Sequence, residues 1–166
     1  EYTMTLDNVN IGLANFWKVT CLDKDGNVKW EENKKNIIVT TGLNHILDTQ
    51  FHASTQVTTW YIGLKGAGTP IAADTMASHS SWAELTGYAG NRKEWTEGAA
   101  SSGSMTNSSS VDFTMNATAT VAGAFLNTAA TGTAGTLYGV VDFSSSRAVI
   151  SGDTLQVTVT VTAASA

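Results

Sequence analysis

Apolar and polar residues alternate along most of this chain with a period of two. The clearest run is Leu155-Gln-Val-Thr-Val-Thr-Val-Thr162. Leu155, Val157, Val159 and Val161 fall on one side of it, and Gln156, Thr158, Thr160 and Thr162 on the other. Successive side chains of an extended strand point to opposite faces, so this pattern predicts a half-buried antiparallel strand. Gly152-Asp153 supplies the turn before it. The same signature marks Phe16 to Leu22, Val28 to Glu32, Ile37 to Thr40, Val57 to Leu64, Val111 to Met115, Thr120 to Leu126 and Thr136 to Phe143. The joints between these runs are rich in Gly, Ser, Asn and Asp, the residues that accept turn geometry.

One segment changes period. Leu43, Ile46, Leu47 and Phe51 have helical spacing, which predicts a short amphipathic helix over residues 42–52 with Thr41 placed to cap its start. A second helical turn is expected around Ser80 to Leu85, and residues 99–110 read as a small polar loop. Many short strands, one helix and turn-rich joints predict an all-β fold, an antiparallel sandwich or barrel. Residues 1–35 read as an N-terminal hairpin or arm and residues 36–166 as the sandwich, within one compact domain. The length suits a single domain with a real core, and no repeat of 20–50 residues is evident.

Charge narrows the partners. The formal net charge is -5 and only 14% of the 166 residues are charged, while 42% are hydrophobic. An acidic chain lacks the basic face that phosphate binding needs, so nucleic acid is not an expected partner. No apolar run approaches the length of a bilayer span, so no membrane partner is expected either. After Glu97 the only charges are Asp112, Asp142, Arg147 and Asp153. That half must be solvated by Ser, Thr, Asn and Gly or covered by a partner. The single cysteine, Cys21, rules out an intrachain disulfide and sits in a strand pattern, where an inert buried thiol is expected.

The densest chemistry lies between Asp74 and Trp95, DTMASHSSWAELTGYAGNRKEW. Ser78, His79, Ser80 and Ser81 resemble pieces of a hydrolase. Adjacent residues do not converge as a triad must, however, and no G-x-S-x-G elbow occurs. Asp74, Glu84, Glu94 and Glu97 offer carboxylates, but nothing in their spacing sets the separation that glycoside chemistry needs. His45, Asp48 and His52 share a helix face. The two histidines are two turns apart, roughly 10 Å along the axis, too far for one ion. Asp23-Lys-Asp-Gly-Asn27 begins like a calcium loop, yet Lys34 stands where that loop needs Glu, so a hairpin turn is expected. Asn107 and Asn116 head glycosylation sequons. No catalytic residue, metal ligand or cofactor is expected, and the chain is not expected to be an enzyme.

The aromatics are the stronger physical signal. All five tryptophans, Trp17, Trp30, Trp60, Trp82 and Trp95, lie in the first 95 residues, joined by Tyr61 and Tyr88. They suit a two-sided core, a face packed on another protein, or a sugar-stacking platform. The residues put forward as a protein interface are Trp82, Tyr88, Trp95 and Trp30.

A succession of short motifs adds a resemblance. It runs through Asn36-Ile-Ile-Val-Thr-Thr-Gly-Leu-Asn44, Leu47-Asp48, Phe51 and Thr59-Trp-Tyr-Ile-Gly-Leu64. It continues with Ala73-Asp-Thr-Met-Ala-Ser-His79, Trp82-Ala-Glu-Leu-Thr-Gly-Tyr88, Asn91-Arg92, Trp95, Asn107 and Phe113. Gly123-Ala-Phe-Leu126, Gly135-Thr-Leu137 and Gly152-Asp-Thr-Leu155 complete it. From about Val28 to Val161 the chain resembles small tailed-bacteriophage proteins encoded with head genes, of which those with an assigned role resemble capsid decoration, or cement, proteins. The resemblance implies a jelly-roll-like β-sandwich on the outer capsid surface of a virion, bound to the major capsid protein and assembled as a dimer or trimer. A head-fibre, tail or carbohydrate-binding sandwich is the alternative. No catalytic residues come with the resemblance.

Overall fold

The computed structural model describes residues 12–164. In chain order its elements are β1 (Gly12–Leu22), β2 (Val28–Lys35), β3 (Ile37–Ile38), α1 (Thr40–Phe51), β4 (Tyr61–Gly68), β5 (Trp82–Leu85) and β6 (Lys93–Glu94). They continue with β7 (Ser104–Thr106), β8 (Val111–Thr114), β9 (Ala119–Asn127), β10 (Leu137–Val149) and β11 (Thr154–Ala164). Two antiparallel sheets pack as a sandwich. The first runs β2-β1-β11-β7, with β8 also on β11; the second runs β3-β10-β9-β4-β5, with β6 also on β4.

Each long period-two run contains a strand, but the one expected over Val57 to Leu64 starts only at Tyr61 and runs on to Gly68. On β11, Leu155, Val157 and Val159 are fully buried while Gln156, Thr158 and Thr160 are half-buried, as one covered and one wet face require. β1 answers with Trp17, Val19 and Cys21. The two strands pair along their whole length, from Gly12↔Ala164 to Leu22↔Thr154. The turn between β1 and β2 is held by Asp23, whose carboxylate accepts the Asp25 and Asn27 N–H groups at 2.9 Å, with Gly26 at a positive φ. It is the hairpin turn that the sequence predicts. Residues 12–35 are thus built into the first sheet, with β1 between β2 and β11; residues 1–11 of the expected arm lie outside the described residues. Cys21 is buried, and burial pushes its thiol up to about 11.

The side where β2 meets β10 is closed by a polar clasp. Glu32 accepts hydrogen bonds from the Ser144 hydroxyl at 2.7 Å and the Arg147 Nε at 2.8 Å, and also from the Ser144 N–H. Burial pushes its carboxyl up, but the Ser144 and Arg147 bonds outweigh that and hold it below the usual glutamate range. Trp30, half-buried beside the clasp, tilts against Phe143 at 5.8 Å.

The second sheet departs from simple alternation. β4 is buried from Ile62 to Gly66, β9 from Gly123 to Asn127 and β10 from Leu137 to Val141. Both faces of this sheet are therefore covered. Ile62, Leu64, Ala124, Leu126 and Val141 face the main core between the sheets. Val39, Met76, Trp82, Phe125, Leu137 and Val140 form a second, smaller core, on the other side. Close approach makes this possible at two glycines. A Cβ on Gly63 would strike the Phe125 ring, and one on Gly123 would strike the Val141 carbonyl and crowd the Lys65 stem. That stem carries the fully buried Lys65 to an ion pair with Asp142 at 2.7 Å.

Further local expectations are corrected. Residues 99–110, expected to be a polar loop, carry the short strand β7, which pairs with β11. The strand expected over Ile37 to Thr40 is cut to two residues because α1 begins at Thr40. Thr41 does not cap the helix; Val39 occupies that position, and the Thr41 hydroxyl donates to the Leu137 carbonyl at 2.9 Å. Trp82–Leu85 is not a helical turn but a strand, because it adds to the edge of β4.

Candidate functional site

The Asp74–Trp95 stretch leaves the second sheet after β4, crosses its outer face and turns back into the main core. Asp74 organises the start: one carboxylate oxygen accepts both the Ile71 N–H and the Trp82 indole N–H at 2.9 Å. A tight turn follows, with Thr75 and Ser78 exchanging backbone hydrogen bonds. Met76 points into the second core. His79 stacks on Trp82, with ring centroids 4.0 Å apart, and its Nδ1 lies 3.1 Å from the Trp82 carbonyl. Trp82 in turn tilts against Phe125 at 5.3 Å.

Arg92 fastens the cover. Its Nε and one terminal nitrogen donate to the two Glu84 carboxylate oxygens at 2.8 and 2.7 Å. The Ala129 and Gly132 carbonyls accept two more of its N–H donors. Its guanidinium also lies 5.1 Å from the Phe125 ring centre. The side chain is 1% exposed. A planar fork of donors suits such a node, since it satisfies a carboxylate bidentately and still reaches backbone oxygens.

Tyr88 and Trp95 return to the main core. Tyr88 meets Phe113 edge-on at 4.9 Å, and burial, aided by the Glu84 charge, pushes its phenol up to about 12. The Trp95 indole donates to the Asn107 side-chain oxygen at 3.1 Å. That oxygen also accepts the Val159 N–H, while the Asn107 amide donates to Ser109 and Val157. Asn107 is thus a buried peg on β11, which removes it as a glycan acceptor.

Trp82, Tyr88 and Trp95 are all at most 5% exposed. Put forward as a partner-facing surface, they instead face this chain's own two cores, and Trp30 helps to close the sandwich. Trp82, Tyr88 and Trp95 thus offer little apolar area to a second protein or a sugar, while Trp30 is only half-buried. The remaining polar candidates do not converge. Among the described residues, no serine hydroxyl bonds His79, and Glu84 is occupied by Arg92. His45 turns to Thr49 at 3.5 Å and to the Trp60 ring, while His52 pairs with Asp48 at 3.6 Å.

Much of the free apolar surface among the described residues lies on α1, with Phe16, Val28 and Ile150 exposed elsewhere. Gly42 is its one buried residue, seated on the backbone of Tyr138, where any Cβ would clash. That contact fixes the helix rotation. At about 100° per residue, His45, Ile46 and Thr49 share the Gly42 side, and all three are half-buried. Leu43, Leu47 and Phe51 fall about 100–180° away and are 40%, 55% and 80% exposed. The apolar spacing read from the sequence is real, but most of it points outward. Ile37 and Ile71 are also exposed. Ile37 lies just before α1, and Ile71 is next to Ala72, whose carbonyl receives the Thr40 N–H. The signal available in the sequence was Gly42 in the first turn, the small residue that permits backbone contact.

The family model described as "Podophage GP4 fiber I protein gp80" matches residues 36–164. No curated protein matches the chain. The match covers most of the chain, from the residue before β3 through β11, and includes the second core, the cover, α1 and the main core apart from its β1 side chains Trp17, Val19 and Cys21. The chain belongs to this family of phage fibre proteins. The resemblance read from the sequence thus holds at the level of a phage structural protein, while the family's description is of a fibre rather than a decoration protein.

Proposed function

We propose that this protein is a structural subunit of a tailed-phage particle, a fibre component seated on the outer surface of the head shell through contacts with the major capsid protein. The observation that carries the reading is the fibre-family match over residues 36–164. The construction supports it. A covered sheet with its strongest polar groups spent on internal pegs and clasps is a rigid body, suited to burying area against partners rather than to turnover. On this reading the chain works without catalysis or cofactor and lies in the virion. It binds capsid subunits and copies of itself.

Purified particles test the location. The protein is expected in a fixed ratio to the major capsid protein, with antibody label on the head. Its absence from particles, or label confined to the tail, would overturn the head assignment. Particles made without it separate cementing from fibre display. Breakage at lower heat or osmotic stress is the result expected of a cement. Unchanged robustness with reduced adsorption to cells is the result expected of a fibre.

A further inference from the structure

The outer face of the first sheet carries a groove of about 340 Å³. Its floor follows from strand register. Trp17 and Val19 turn into the main core, so Phe16 and Lys18 of β1 point outward. Phe16 stands between Lys35 of β2 and Thr160 of β11, and Lys18 stands between Asn33 and Thr158. Two cross-strand rows thus set one aromatic ring, 48% exposed, among hydroxyls, an amide and ammonium groups. Lys34 adds to the groove's rim. The charge here runs against that of the chain, which has a net charge of -5 and nine Lys and Arg residues. Six of the nine pair with a carboxylate. Among the described residues, Lys34, Lys35 and Lys93 have no carboxylate partner, and Lys93 donates to the Ala89 carbonyl instead. The two cations left over flank the same groove.

We propose that this groove binds an acidic saccharide, with the C–H face of a sugar ring on Phe16, its carboxylate at Lys35 and Lys34, and its hydroxyls on Asn33, Thr158 and Thr160. A pyranose ring is apolar on its face and polar at its rim. One exposed ring surrounded by a few polar groups complements both. Neighbouring strands lie about 4.8 Å apart, close to the width of one sugar ring, so each row spans a single unit. Other anionic occupants fit less well. The backbone of β1, which floors the groove, is paired on one side with β2 and on the other with β11, so an acidic peptide lying there would gain no main-chain ladder. Lysine is also depleted at protein interfaces. A nucleic acid carries a phosphate at every nucleotide, and two unpaired lysines on an acidic chain do not match that charge density. The inference rests on the fibre reading for its biological sense, since a fibre on a particle is placed to meet cell-surface polysaccharide. The binding itself is a property of the free chain.

The test titrates the full chain with three probes, oligogalacturonate, a hyaluronan oligomer and oligosialic acid, and follows backbone amide shifts by NMR. At least one probe should bind with a dissociation constant on the order of 1 mM or tighter and shift the amides of Phe16, Lys18, Lys35 and Thr160. The methyl ester of that probe, which keeps the sugar and loses the charge, should bind at least roughly 10-fold more weakly. Phe16→Ala and Lys35→Gln should each weaken binding by a similar factor while circular dichroism stays unchanged, because both side chains are exposed. Lys24→Gln removes the same charge from an exposed lysine in the β1–β2 turn and should leave binding as it was. No binding by any of the three probes overturns the site. So do shifts confined to another face, an ester that binds as well as the acid, or a polyglutamate peptide that binds as tightly as the best saccharide. None of these results touches the particle location, which the antibody label decides separately; label confined to the tail would leave a groove that binds saccharide standing.

Discussion

The cover from Asp74 to Arg92 and the helix α1 both pack on the second sheet, yet they do it in opposite ways. The cover gives up its large side chains. Met76 and Trp82 close a second core over Phe125 and Val140, and its charges are consumed by Asp74's bonds and by the Arg92–Glu84 node. The helix touches the sheet through a glycine, half-buries His45 and Ile46 beside it and keeps Leu43, Leu47 and Phe51 outside. The difference lies in what reaches the sheet first. A long excursion can turn and drop aromatics into place. A helix held by backbone contact at Gly42 has its rotation set by that contact, and its other residues follow at fixed angles. The cover is therefore the place to look for stability, and α1 the place to look for partners.

The most severe test of that division is Trp82→Ala. The ring is buried, packed on Phe125 and His79 and bonded to Asp74, so its loss should cost about 3–5 kcal/mol in urea unfolding. A cost below about 1 kcal/mol, as expected of a surface residue, would return the cover to the list of interfaces. Arg92→Met comes next. It keeps much of the stem but strands Glu84 and the Ala129 and Gly132 carbonyls. The expected loss is about 2–4 kcal/mol, below that of a fully buried pair because Glu84 is partly solvated. Adding Glu84→Gln should recover part of that loss. Two costs that simply add would show that the pair is not coupled.

Gly42→Ala sharpens the other half of the comparison. In an ordinary helix interior this change stabilises by about 1 kcal/mol. Here a methyl would meet the Tyr138 backbone, so the sign should reverse, with a loss of roughly 1–3 kcal/mol from overpacking. A stabilised variant would mean that the helix does not rest on Gly42 and that its outward face is not fixed.

Much of this was legible in the sequence, and the part that was not has a definite cause. Alternation located the long strands, because a period of two is a local property of the chain. It did not reveal β5, β6 and β7, which are two to four residues long and exist because a neighbouring edge was free. Helical spacing located α1, but periodicity says only that apolar residues share a side, not which side has a neighbour. The same limit governed the tryptophans. Their number showed that large surfaces had to be buried, but whether Trp82 and Trp95 met this chain or another depended on Phe125 and Asn107, far away in sequence. Buried polar pegs such as Asn107, and the Glu32 clasp to Ser144 and Arg147, carry no local signature at all. Each looks like an ordinary surface residue until its partner arrives from another strand.

The smallest expected effect completes the comparison. Phe51→Ala removes the most exposed large apolar side chain among the described residues, at 80%, and should change the unfolding free energy of the dilute chain by no more than about 0.5 kcal/mol. A phenylalanine in a core would cost several times that, so the measurement separates an outward helix face from an inward one without reference to any partner.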